Sequence, residues 1–250
     1  MTTYITKENE ARNDEMTLKS DVVRILSGRG ISVSAEMIPS DSIVLSPATV
    51  KKENGGKTLA GRLLGEVTET ADDKNTVYTS AMGNIMFSGD SFSLVYESGK
   101  EIGGIEDAER LAAAIARKLS VSVSKAEFVT EKIAGGYTVK APQMHSGLCV
   151  FDCVIEFRIF ENGSVMAHGK FIGNGKTQKL RSDMQKTSAL LLDFADEMEQ
   201  RAEYVVIRKI SLGYVSISRS AEITILVPAL EIETDNGLYC ISMESGKIIQ

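Results

Sequence analysis

The sequence predicts an α+β protein in which helices pack on antiparallel β-meanders. A helix followed by consecutive strands occurs up to three times, without the strict alternation that builds a parallel sheet. A composition of 43% hydrophobic and 25% charged residues provides for a core. Acidic-polar-glycine triplets close strand-like runs, because Gly and Asn accept the positive φ of a tight hairpin. These triplets are residues 97–99, 161–163, 235–237 and 244–246.

The N-terminal part is expected to form a small α+β domain over residues 1–103. Its first helix becomes amphipathic towards its end and stops at Gly28 and Gly30, as helices do at C-terminal glycines. Alternating or continuous apolar runs bounded by glycine or proline then predict short strands. The predicted elements are a helix over 6–27, a strand over 31–38, a short apolar piece over 42–45, a helical turn or two over 59–64, a charged loop over 70–75, and strands over 76–81, 84–88 and 92–97.

The remaining residues, 104–250, are expected to form a second α+β domain. Its clearest helix, over 105–119, repeats apolar residues at spacings of three and four and carries acids in its first turns. A second helix is predicted to begin at Ser182-Asp183. The predicted strands are 124–132, 136–141, 148–160, 164–172, 204–217, 223–234 and 238–243.

Composition argues against several functions. Asp and Glu outnumber Lys and Arg by 34 to 28, which disfavours nucleic acid as a partner because phosphate binding needs clustered cations. The absence of Trp argues against an aromatic platform for sugars or bases. No apolar run is long enough to span a membrane, and no signal peptide opens the chain.

The three cysteines favour buried thiols over a disulfide framework. Cys149 and Cys153 lie four residues apart on one predicted strand, which places them about 13 Å apart. A disulfide requires a Cα separation of roughly 4.4–6.8 Å, so these two cannot pair. A bridge from Cys240 to either of them stays open.

The motifs that suggest catalysis or ligand binding are incomplete. A phosphate-binding loop needs a glycine five positions before Gly-Lys-Thr, and both sequences of that kind, at Gly56 and Gly175, have lysine there. Two isolated histidines, His145 and His168, do not complete a zinc site with a Cys-x-x-x-Cys on a strand. We therefore predict no catalytic, cofactor-binding or metal-binding residues, no cofactor and no enzymatic activity.

A cysteine-dependent hydrolase using His145 and Cys149 is the alternative from another class, since a thiolate needs an adjacent base. Asp152 is the third member of this candidate group. It would point to the face of the strand opposite Cys149, which weakens a triad.

The last forty residues carry an ordered series of short motifs. It resembles the end of the YycI/YycH regulators, whose closing domains are similar to PepSY modules. Shorter matching pieces lie in residues 147–152, 188–194, 26–33 and 38–39. The Trp that the family has after Pro228-Ala229 is Leu230 here. The series consists of residues 212–214, 226–232, 235–239 and 244–249.

The resemblance implies a PepSY-like C-terminal domain and a non-catalytic regulator of cell-wall homeostasis. Such a protein is anchored by an N-terminal helix outside this chain and works on the extracytoplasmic face of the membrane. The expected partners are a WalK-type sensor histidine kinase, a YycH-like sibling regulator, or both. A PepSY-like peptidase-inhibitor module is the remaining alternative.

Overall fold

The computed structural model describes residues 2–51, 55–172, 177–180, 183–220 and 223–249. These residues form an α+β fold, which confirms the predicted class. The helices are α1 (Thr2–Gly28), α2 (Gly56–Leu64), α3 (Ile105–Lys118) and α4 (Thr187–Gln200). The strands are β1 (Ile31–Ser32), β2 (Ala48–Lys51), β3 (Thr68–Ala71), β4 (Asn75–Ser80), β5 (Gly83–Ser88), β6 (Ser91–Glu97), β7 (Val129–Ile133), β8 (Gly136–His145), β9 (Leu148–Phe160), β10 (Ser164–Lys170), β11 (Thr177–Lys179), β12 (Val205–Ser220), β13 (Ile223–Thr234) and β14 (Leu238–Ser242).

The described strands belong to one mixed sheet. Along the chain, a helix followed by a series of strands occurs three times. Helix α2 precedes β3 to β6, α3 precedes β7 to β10, and α4 precedes β12 to β14. The longest path through the sheet runs β11-β2-β13-β12-β9-β10-β6-β5-β4-β3. Strand β1 pairs with β12 in parallel, whereas β3, β4, β5 and β6 pair successively in antiparallel, as the predicted meander requires.

The chain divides into two compact units. Unit 1 contains residues 1–47, 180–214 and 227–250, and unit 2 contains residues 48–179 and 215–226. This division differs from the boundary predicted between residues 103 and 104, which lies inside unit 2. The reason is that β6 pairs with β10 from Glu97 opposite Ser164 to Ser91 opposite Lys170, and this ladder joins the two predicted domains.

Unit 2 has its own hydrophobic core. The amphipathic helices α2 and α3 bury leucine, isoleucine and alanine side chains against the sheet, as their apolar spacing predicts. Phe157, Ile159 and Ile85 are completely buried in this core. Removing a buried aromatic ring of this kind costs about 3–5 kcal/mol, so the core holds the unit together.

Unit 1 has a second core, built from the end of α1, one face of α4 and the strands β12 to β14. Leu26 on α1 and Phe194 on α4 are almost fully buried. The ring of Phe194 meets that of Tyr239 edge to face, with 5.3 Å between centroids. In contrast, Met16 and Leu18 earlier on α1 are exposed.

Several elements differ from the sequence prediction for identifiable reasons. Strand β1 covers only Ile31–Ser32 because a 3-10 turn at Ala35–Met37 follows it. Strand β3 begins before the predicted charged loop over 70–75 and takes up its first two residues, and all four of its residues are exposed. Helix α4 begins at Thr187; of the predicted start, Asp183 is not helical and Ser182 lies outside the described residues.

The positive φ predicted for the glycines of the four triplets is confirmed, although Gly99 lies between β6 and α3 and so does not close a hairpin. Gly99, Gly163, Gly237 and Gly246, which end the four acidic-polar-glycine triplets, all have positive φ. At Gly163 a Cβ would lie 2.1 Å from a backbone oxygen, so glycine is required there for space as well.

Among the described helices, none combines the length and the hydropathy needed to cross a membrane.

Candidate functional site

A β-bulge in the middle of β9 brings a carboxylate, a lysine and a thiol together in unit 2. Pro142 on β8 faces Val154, but the next residue, Gln143, faces Val150. Residues 151–153 therefore have no partner on β8. Bulges redirect side chains and are common beside functional sites.

The bulge presents the carboxylate of Asp152 to three donors from other strands. The backbone N–H of Ser216 on β12 donates to it at 2.8 Å, and the Ser216 hydroxyl donates at 2.7 Å. The Lys170 ammonium at the end of β10 donates at 2.7 Å. The Asp152 side chain is 11% exposed and that of Lys170 is 43% exposed. We call Asp152, Cys153, Lys170 and Ser216 the Asp152 cluster.

The electrostatics of the Asp152 cluster fix its protonation state. Burial opposes ionisation of Asp152, but the hydrogen bonds from Lys170 and Ser216 outweigh it and lower its pKa. The bond to Asp152 raises the pKa of Lys170. At neutral pH the cluster is therefore an ion pair.

The thiol of Cys153 lies in the same cluster but is not activated. Its sulfur contacts the Ser216 hydroxyl at 3.3 Å. Burial, then the charge of Asp152, raises the pKa of Cys153 to about 12. A nucleophilic cysteine needs a lowered pKa, so this thiol stays protonated.

The side-chain amide of Gln143 hydrogen-bonds to the backbone on both sides of Phe171. Gln143 is 2% exposed, donates through Nε2 to the carbonyl of Lys170, and accepts the N–H of Ile172 at 3.3 Å. Together with the Asp152 cluster, this amide ties β8, β9, β10 and β12. These hydrogen bonds hold the four strands together within unit 2.

The candidate pair His145 and Cys149 lies in the β8–β9 hairpin next to the bulge. Cys149 faces Met144 across the ladder, and its sulfur contacts the Met144 sulfur at 3.6 Å. His145 faces Leu148 instead. Because adjacent residue pairs of an antiparallel ladder point to opposite faces, the imidazole and the thiol diverge. Burial, followed by the charge of Lys179, lowers the pKa of His145.

The other sequence candidates are placed as follows. None of the three cysteines forms a disulfide bond, so the open bridge from Cys240 is not formed. Gly56 and Lys57 open α2, whereas Gly175 and Lys176 lie outside the described residues. Within the described ranges, no three His, Cys, Asp or Glu side chains come close enough to hold a metal ion.

Unit 1 carries a different feature, three exposed apolar side chains located just before β12, on β12 and at the start of β14. Tyr204 is 82% exposed, Val206 is 48% exposed and Leu238 is 54% exposed. Val205, between the first two, is buried, so Tyr204 and Val206 share the outer face of the strand. We call these three residues the Tyr204 patch.

The backbone around the Tyr204 patch is fixed by hydrogen bonds from the β13–β14 turn. The Asp235 N–H donates to the Val206 carbonyl at 3.1 Å, and the Val206 N–H donates to the Asp235 carboxylate at 2.8 Å. The Asn236 side chain donates to the Tyr204 carbonyl at 3.1 Å. Leu238 follows directly after this turn.

Gly30 supports the exposed ring of Tyr204. Its φ is +81°, and a Cβ at this position would lie 2.5 Å from the ring atom Cδ1. Only glycine lets the ring approach the backbone this closely. The aromatic ring therefore lies close to the backbone of Gly30 while most of its surface faces solvent.

Sequence reasoning missed both features for different reasons. The bulge brings together three residues that are far apart in sequence, Asp152, Lys170 and Ser216. No local sequence pattern predicts that bulge. The Tyr204 patch does have a signal. Residues 204–207 are Tyr-Val-Val-Ile, and a strand with apolar residues on both faces must expose some of them unless both faces are covered.

Comparisons with known proteins show the fold alone. No family model matches the chain, and the search of curated proteins gave no match. A crystal structure of an uncharacterized protein from Eubacterium rectale is similar, with a TM-score of 0.52 and 13% identity over 82% of this chain and 86% of that one. The Bacillus megaterium YpeB C-terminal domain aligns over 80% of this chain and 96% of that one, with a TM-score of 0.43 and 12% identity. The second likeness supports no conclusion at that TM-score.

Proposed function

We propose that this chain is a non-catalytic regulatory module that acts by binding another protein. More specifically, we propose the extracytoplasmic part of a YycI/YycH-type regulator, with a sensor histidine kinase or a sibling regulator as its partner. The C-terminal motif series, residues 212–249, is the sequence basis for the family and for a PepSY-like closing domain.

The Tyr204 patch is the observation that carries the proposal. Tyrosine is enriched among the residues that dominate binding energy at protein interfaces, because its ring covers a large area and loses little conformational freedom. The ring of Tyr204 passes close to the backbone at Gly30, and most of its surface is open to a partner.

The acidic side chains near the Tyr204 patch indicate the kind of partner surface. Glu203 and Glu233 flank it, and Glu203 accepts the Tyr239 hydroxyl at 3.3 Å. A partner segment with an apolar side chain beside lysine or arginine would complement this surface.

The Asp152 cluster supports a non-catalytic reading. Its carboxylate is engaged by Ser216 and Lys170, and the pKa of Cys153 near 12 keeps the thiol unreactive. The polar residues that most resemble an active site thus have a structural role in unit 2. In a regulator of this kind, signalling would arise from contacts that differ between two states of the kinase.

Photocrosslinking in cells tests the proposal. A photoreactive phenylalanine analogue replaces Tyr204 in the full-length protein, and a matched variant carries it at Val129, which is 56% exposed in unit 2. We expect an adduct with a sensor histidine kinase or a YycH-like regulator from position 204 and none from position 129. Equal adducts from both positions, or no such partner from position 204, would contradict the proposal.

A further inference from the structure

Strand β3 is an open edge of the sheet in unit 2. The path through the sheet ends at this strand, and β4 is its single partner among the described strands. All four of its residues, Thr68–Ala71, are exposed. The backbone groups on the outer side of β3 are therefore accessible to another chain.

The hydrogen-bonding pattern identifies which backbone groups of β3 face outwards. The N–H of Asp72 donates to the carbonyl of Asn75 at 2.9 Å, which makes these two a hydrogen-bonded pair just beyond the β3–β4 ladder. Bonded pairs alternate along an antiparallel ladder, so the residues of β3 that bond to β4 are those at even-numbered positions. Glu69 and Ala71 consequently direct their N–H and carbonyl groups towards the open edge.

The geometry of this edge permits a further strand to pair with it. The register runs without a bulge from Thr68 opposite Thr79 to Ala71 opposite Thr76. Natural edges are commonly protected against pairing by a bulge, a proline or a lysine, and β3 has none of the three. An extended segment can therefore add to β3 through main-chain hydrogen bonds.

The side chains around β3 determine which kind of segment can pair with it. Residues 66–74 contain one cation, Lys74, and four exposed acids, Glu66, Glu69, Asp72 and Asp73. A second copy of this chain would bring the same acids against one another, which disfavours edge-to-edge pairing of two copies. A segment that carries lysine or arginine is attracted instead.

We propose that β3 pairs with an extended, basic segment of a partner protein, which adds a strand to the sheet of unit 2. Main-chain hydrogen bonds to Glu69 and Ala71 hold the segment, and a lysine or arginine opposite Glu69 sets its register. This surface belongs to unit 2, whereas the Tyr204 patch belongs to unit 1, so the inference does not rest on the function proposed for that patch.

Hydrogen exchange measured by NMR on the whole chain tests the proposal. The probe is a blocked heptapeptide that alternates lysine with threonine or valine, acetyl-Lys-Thr-Lys-Val-Lys-Thr-Lys-amide. At saturating peptide we expect the amide protons of Glu69 and Ala71 to exchange about tenfold more slowly, because the peptide accepts their hydrogen bonds. The amide proton of Thr70, which bonds to β4 already, should change little. Attraction between charges alone would not produce this alternation.

Two variants separate the backbone contribution from the charge. Ala71→Pro removes an outward N–H and leaves the bonds to β4 in place, so it should weaken peptide binding about tenfold. Glu69→Gln removes one charge and should weaken binding about threefold. Glu127→Gln changes an exposed acid outside this edge and is the matched control, with unchanged affinity expected.

A peptide with glutamate in place of every lysine tests the charge from the other side and should not bind. The proposal is overturned if the lysine peptide leaves the exchange of Glu69 and Ala71 unchanged at millimolar concentration, or if the glutamate peptide binds as well. It is also overturned if neither Ala71→Pro nor Glu69→Gln weakens binding. A dimer in sedimentation that Ala71→Pro dissociates would overturn it too, because a second copy would then occupy the edge.

Discussion

The Asp152 cluster of unit 2 and the Tyr204 patch of unit 1 reverse the usual distribution of polar and apolar groups. In the first, a largely buried carboxylate is bonded to Ser216 and to a partly exposed lysine. In the second, a large aromatic ring lies outside and is supported only from below. Buried polar groups that hydrogen-bond to one another hold strands together, whereas an exposed ring is available to another molecule. Under the proposed function, the exposed ring of unit 1 contacts the partner and the buried ion pair of unit 2 stabilises the fold.

The largest expected effect is on the Asp152 cluster. Asp152→Ala leaves the N–H of Ser216 and the ammonium of Lys170 without their acceptor. Because Lys170 is partly exposed and can reach water, we expect a loss of about 2–3 kcal/mol in the free energy of unfolding. Urea denaturation measures it, with Asp73→Ala on an exposed turn as the control. Equal stability of the two variants would show that the cluster does not clamp the strands.

A smaller effect is expected at Gly30. Gly30→Ala places a Cβ at positive φ and against the Tyr204 ring, which should cost about 1–2 kcal/mol of stability and displace the ring. Gly28→Ala is the matched control, since no atom lies within 4 Å of its Cβ position. We expect the control to be neutral or slightly stabilising in thermal unfolding. If both variants behave alike, the ring is not supported by Gly30.

The pH dependence of stability separates the charge of Asp152 from its shape. The folded pKa of Asp152 is below its ordinary value of 3.8, so its ion pair stabilises the protein above that pH. This contribution is lost as the pH falls through the folded pKa. The stability difference between wild type and Asp152→Asn should therefore shrink below pH 3.8. A difference that stays constant in acid would show that hydrogen-bond geometry alone accounts for it.

The fold class was accessible from sequence because its signals are local. The apolar spacing of α3 and the glycines at positions 99, 163, 237 and 246 depend only on neighbouring residues. Pairing between distant segments was not accessible. The ladder between β6 and β10 put the predicted domain boundary inside unit 2, and nothing near Gly103 announces that pairing.

The two sites show the same limit. The sequence predicts Asp152 as an ordinary strand residue. In the structure, the bulge at residues 151–153 directs its side chain towards Ser216, which is 64 positions away. His145 and Cys149 are close in sequence, yet the ladder register separates their side chains. At residues 204–207 the composition did contain the information, since four consecutive apolar residues in a strand cannot all face one core.

The affinity of the Tyr204 patch for its proposed partner tests the account most directly. The extracytoplasmic region of the sensor kinase, or of the YycH-like regulator, is titrated against wild type and Tyr204→Ala by calorimetry. Because the ring is 82% exposed, the substitution should change the free energy of unfolding by less than about 0.5 kcal/mol. It should nevertheless weaken binding by about 2 kcal/mol, roughly thirtyfold in Kd. An unchanged Kd, with wild-type stability, would contradict the claim that this patch is the docking surface.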